Sequence, residues 1–108
     1  MSLIKQSPNY AITGGNHSFD AVQITDGKCA VIQAQYVDIV ATDVKLQLEQ
    51  SVAGVHFDVV PGSVQTVDPA KTSHSWNWPI APVGIFVRVA VLNGSGKAGT
   101  ISKIDFLV

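Results

Sequence analysis

The chain has 108 residues, 46% hydrophobic and 14% charged, and its seven Lys plus Arg against eight Asp plus Glu leave a formal net charge of −1. That length supports a single domain able to bury about 65% of its unfolded surface. A near-neutral balance without a basic stripe excludes electrostatic binding to nucleic acid or an anionic membrane, and the lone Cys29 excludes an internal disulfide and a cysteine-based zinc site.

The opening Met1-Ser2-Leu3-Ile4-Lys5-Gln6 lacks the apolar core of a signal peptide. No apolar stretch reaches the roughly 18 residues of a membrane span. Residues 1–17 read as an N-terminal arm, with turn signals at Ser7-Pro8-Asn9 and Gly14-Gly15-Asn16 around a short piece holding Tyr10 and Ile12. Such an arm either adds an edge strand to its own sheet, the favoured option, or reaches over a neighbouring subunit. Residues 18–108 then form the domain proper.

Phe19 to Thr25 alternates imperfectly and ends at Asp26-Gly27, a hairpin signal. Cys29 opens the next strand, where Ile32, Ala34 and Tyr36 share a face before the apolar parity moves to Val37 and Ile39. That shift predicts a bulge or a bend between sheets. Asp43 to Glu49 is the cleanest amphipathic strand, with Val44, Leu46 and Leu48 inward and Asp43, Lys45, Gln47 and Glu49 in water. Val55, Phe57 and Val59 repeat the alternation, and Val64 to Val67 makes a short strand. His74-Ser75-Trp76-Asn77-Trp78 is extended and stops at Pro79. In Gly84 to Leu92, Ile85, Val87, Val89 and Val91 lie on one face, with Phe86, Arg88, Ala90 and Leu92 on the other. A glycine-rich loop, residues 93–99, precedes the last strand, with Ile104, Phe106 and Val108 inward. About eight short strands without helical periodicity predict an all-β fold, a single antiparallel β-sandwich of jelly-roll or immunoglobulin-like topology.

Candidate chemistry is sparse. Gly94-Ser95-Gly96-Lys97-Ala98 departs from a phosphate loop at Val91 and Ala98, where glycine and Ser or Thr are needed. His17, His56 and His74 form no ligand pair. Asp38, Thr42 and Asp43 lie around one turn that could offer oxygens to calcium, but the cluster is too thin to predict a metal. No nucleophile turn and no paired carboxylates occur, so no catalytic residue, cofactor or enzyme activity is predicted. Arg88 interrupts an apolar run and needs a carboxylate, with Asp58 and Asp105 as candidate partners in a structural ion pair. His74, Trp76 and Trp78 share one face of an extended segment. That face is either a stacking platform for sugar rings or a protein partner, or a plug for the end of the sandwich. Tyr10 and Ile12 join it as candidate interface residues.

Leu46-Gln47-Leu48-Glu49-Gln50-Ser51-Val52-Ala53-Gly54-Val55-His56-Phe57-Asp58-Val59 resembles the strand–turn–strand unit of small bacteriophage virion proteins, in which a Ser-x-x-Gly turn precedes an aromatic and a valine. Gly84 to Val89 and Gly99-Thr100-Ile101 with Ile104 resemble the later strands of that unit, and the motifs are shared with discoidin-like sugar-binding sandwiches. The resemblance implies a non-enzymatic structural protein of a phage virion, a capsid decoration, cement or vertex component. It also implies capsid partners, a homo-oligomer assembled through arm, sheet edges and aromatic patch, and assembly in the host cytoplasm. The alternatives are a carbohydrate-binding module using Trp76 and Trp78, with a glycan as partner, and a subunit of a non-viral surface assembly.

Overall fold

Alternating apolar residues set the faces of every long strand in the computed structural model, which describes residues 3–12, 15–25, 30–39, 43–79, 81–93 and 99–108. The segments are β1 (Leu3–Gln6), β2 (Tyr10–Ala11), β3 (Gly15–Ser18), β4 (Val22–Gln23), β5 (Ala30–Val37), β6 (Lys45–Ser51), β7 (Asp58–Val59), β8 (Gln65–Thr66), β9 (Ser73–Trp78), β10 (Phe86–Asn93) and β11 (Thr100–Leu107). They fill eight strand positions, because β1 and β2 both pair with β11, β3 and β4 with β10, and β7 and β8 with β6. The first sheet runs β1/β2, β11, β5, β9 and the second β3/β4, β10, β6, β7/β8, with every pairing antiparallel.

This order is that of a jelly roll, two sheets wound by Greek keys. In the immunoglobulin-like alternative the first strand lies beside the second, whereas here it lies beside the last. Within the stretch read from the sequence as an arm, residues 3–6 and 10–11 supply edge strands to the first sheet and residues 15–17 belong to an edge strand of the second.

The inward rows meet in one core. Val87, Val89 and Val91 of β10 are fully buried, as are Ile32 and Ala34 of β5 and Ile104 and Phe106 of β11. Each buried valine contributes roughly 1.5–3 kcal/mol before ordering entropy is subtracted. The expected parity shift does not reach Val37, which is exposed; β5 alternates regularly to its end, and Ile39 returns to the core only after Asp38 takes a left-handed backbone at φ 58°. The bulge lies in the partner strand instead: the register slips between Ile101 and Lys103, so the extra residue sits in β11 and lets Ile101 and Ile104 both face inward.

Two sequence expectations need correction. Gln47 is only 6% exposed, because Ser18, Glu49 and Arg88 crowd the outer surface of the second sheet around it. Val55 and Val59 do not point inward. The chain leaves β6 at Ser51 into an irregular loop through Phe57, which leaves Val52 87% and Val55 71% exposed. Alternation there continued in sequence while the backbone had turned. Asp26-Gly27, Cys29, Thr42 and the Gly94 to Ala98 stretch lie outside the described residues.

Candidate functional site

The face shared by His74, Trp76 and Trp78 points into the flank between β9 and β7/β8, so these side chains do not form an open row. Trp76, opposite Ile32 in the ladder, is 7% exposed, and its Nε1 donates to the Ser63 carbonyl at 2.8 Å. The Ser63 hydroxyl in turn donates to the Leu48 carbonyl at 3.2 Å and accepts from the Leu48 N–H at 3.1 Å. An indole buried with its one donor satisfied is a structural plug. The expectation that Trp76 could be a binding platform is therefore corrected. His74 packs edge-on against it, with ring centroids 4.6 Å apart. Burial, and secondarily the Lys71 charge, hold the His74 imidazole below its usual pKa.

Trp78 remains half-buried at the rim. It borders a recess of about 170 Å³ between Val60-Pro61-Gly62 and Trp76-Asn77-Trp78. The far wall is a tight turn closed by the Ser63 N–H donating to the Val60 carbonyl at 3.1 Å, and Gly62 at φ 77° supplies the left-handed backbone that turn needs. Where β6 ends, two residues beyond Leu48, lies a recess of about 460 Å³ lined by Gln50, Ser51, His56, Asp58 and Ile85 with the start of the 52–57 loop.

That loop is fixed from the outer surface of the second sheet. The Gly54 N–H donates to the Ser51 hydroxyl at 2.9 Å. Gly54, at φ 77°, lies where an added Cβ would meet the Phe86 ring at 3.4 Å. The Phe57 ring carries the Arg88 guanidinium 3.8 Å from its centroid. Arg88 Nε donates to Glu49 at 2.7 Å, so neither Asp58 nor Asp105 is its partner. The reason is topological. β10 lies beside β6 with Arg88 opposite Glu49, Asp58 sits opposite Gln50 on the other parity, and Asp105 belongs to the other sheet. Burial alone would raise the Glu49 pKa, but hydrogen bonds from Arg88, Gln47 and Ser18 together with the Arg88 charge outweigh it and hold the carboxyl below its usual range.

Tyr10 and Ile12 lie on the opposite flank. Tyr10 stacks on His17 at 4.2 Å with a 9° interplanar angle, while Ile12 is buried and its N–H donates to the Gly99 carbonyl at 2.8 Å. Both face this chain's own elements and are separated from Trp78 by the width of the sandwich. Among the described residues no group of three His, Cys, Asp or Glu could hold a metal ion. Sequence reading did not assign Gln50, Ser51, His56, Pro61 or Ile85 to a site. Gln50 carried the usable signal: a polar residue on the inward parity two places after Leu48 marks where the core stops.

The chain is similar in structure to the C-terminal carbohydrate-binding module, CBM6, of LamC, a marine laminarinase from Zobellia galactanivorans. The TM-score is 0.60 at 13% identity, over 99% of this chain and 100% of that one. It is also similar to the isomalto-dextranase of Arthrobacter globiformis T6 complexed with panose, with a TM-score of 0.50 at 15% identity. That match covers 88% of this chain and 17% of the other, so the chain spans a small part of that protein. No protein-family model and no curated protein matches the sequence. These likenesses show the β-sandwich and agree with the discoidin-like side of the resemblance. The virion and capsid side of it, with capsid partners and a homo-oligomer, finds no support in them.

Proposed function

We propose that the chain is a non-catalytic carbohydrate-binding module that takes a neutral glycan along the flank between β9 and β7/β8. The observation carrying this reading is end-to-end likeness to a CBM6 sandwich, joined to recesses that set apolar and polar groups side by side. A sugar ring has an apolar face and a polar rim. Trp78 and Pro61 offer the first a surface, and Gln50, His56 and Asp58 offer the second its partners.

Charge favours a neutral ligand. No lysine or arginine is among the described residues lining either recess, and Asp58 is the one acid. A sulfate or uronate held 4 Å from that carboxylate would be repelled by about 1 kcal/mol in bulk water and about 4 kcal/mol at an effective dielectric of 20. A lone acid also offers no pair for glycosidic hydrolysis.

Affinity electrophoresis through gels containing laminarin or dextran tests the reading. Retardation in at least one polymer is expected, with roughly tenfold weaker binding in Trp78→Ala, or about 1.4 kcal/mol. A chain serving instead as a capsid decoration would migrate freely through every neutral glycan tried, and that result would reject the proposal.

A further inference from the structure

We infer that the two recesses are one cleft, so that the ligand is a linear glycan segment spanning both rather than a single sugar in either. This rests on the glycan-binding reading. The argument comes from strand register. Leu48 lines the recess at Trp78, and Gln50, two residues on and of the same parity, lines the recess at His56. Across the ladder Val60 lines the first and Asp58 the second. Gln50 is opposite Asp58, and the Val60 N–H donates to the Leu48 carbonyl at 2.9 Å. The recesses are thus consecutive along one pair of strands, about 7 Å apart at two residues of extended rise.

Size and chemistry agree with a shared occupant. At about 170 Å³ the Trp78 recess is smaller than the roughly 300–1,000 Å³ typical of a self-sufficient small-molecule pocket. It needs its neighbour to hold a ligand. Its lining is mostly aromatic and apolar, with the Ser63 hydroxyl already bonded to the Leu48 backbone, whereas the second recess carries Gln50, His56 and Asp58. A chain seated across both stacks one ring at Trp78 and directs the hydroxyls of the following rings to the polar groups.

Isothermal titration with laminari- and isomalto-oligosaccharides of two to six units reads this directly. Affinity should rise at least about tenfold between the disaccharide and the tetrasaccharide, about 1.4 kcal/mol, and then level off. Trp78→Ala and the near-isosteric Asp58→Asn, each with an unchanged thermal midpoint, should both weaken the tetrasaccharide and reduce that rise. Trp78→Tyr, which keeps a ring, should restore most of it. Equal affinity at all lengths, or tetrasaccharide binding sensitive to only one of the two positions, would overturn the single cleft while leaving glycan binding intact. No heat with any oligosaccharide, together with free migration in both polymer gels, would instead remove the reading on which the inference rests.

Discussion

Between β1/β2 and β3/β4 the sandwich is closed by three interlocking rings, whereas between β9 and β7/β8 it is closed by one indole hydrogen-bonded to backbone. On the first flank Tyr10 and His17 stack at 4.2 Å, and Phe19 sets its edge against both, at 5.5 Å from Tyr10 and 4.9 Å from His17. Gln6 Nε2 ties the strands further by donating to the Asp20 carbonyl at 3.0 Å. A recess lies there too, beside Ser7, Pro8 and Ser18, but the rings near it are engaged with one another. On the second flank closure happens deep, at the Trp76 to Ser63 bond. The second tryptophan is therefore left at the rim above it. The two edges thus differ in the depth of their closure, not in the number of aromatic residues or the presence of a recess, which measures about 400 Å³ on the first flank.

The sharpest way to break this contrast is to remove the deep plug. Trp76→Ala should destabilise the fold by about 3–5 kcal/mol, since a buried ring is lost and the Ser63 carbonyl loses its donor. Urea unfolding monitored by circular dichroism measures it. A loss below about 1 kcal/mol would show that Trp76 is not the closure, because even an exposed substitution reaches about half that size. Such a variant cannot report on binding alone, which is why Trp78 is the position to vary for that purpose. On the other flank Tyr10→Ala should cost less. The half-buried ring forfeits its stacking, about 0.5–1.5 kcal/mol beyond the area it covers, and glycan retention should be unchanged. If retention fell instead, the ligand would lie on the ring-closed flank and the assignment of the two sides would be reversed.

Much of this architecture is legible in the sequence where alternation and burial coincide. The Val87, Val89 and Val91 row and the Leu46 and Leu48 row both lie inward as their spacing implies. The reading fails where pairing decides the outcome. Nothing in the chain order says that Arg88 will stand opposite Glu49, because that follows from β10 settling beside β6. Nor does the spacing of Trp76 and Trp78 separate a plug from a rim residue. Their fates diverge only because the Pro61-Gly62 turn brings the Ser63 carbonyl over the first and leaves the second beside open space. Val55 was misleading for a local reason: Ser51 and the left-handed Gly54 turn the loop outward while the alternating pattern runs on.

The smallest expected effect separates the flanks by pH. His74 packs against the plug, and burial, with the Lys71 charge second, lowers its pKa from the usual value of 6.5. The unfolded chain therefore takes up this proton near pH 6.5, while the folded chain resists it until lower pH. The stability that the neutral imidazole contributes is fully present above 6.5 and is lost as pH falls toward the folded value. Glu49 has its own lowered pKa, and the stability it contributes is lost only in the more acidic carboxylate range, so it stays out of this window. Urea midpoints at pH 7.5 and 5.5 should accordingly fall further for the unmodified protein than for His74→Gln, with other titrating groups common to both. Equal falls would mean that protonation at the plug is not resisted by the fold, and the indole edge would then be more open to water than its burial implies.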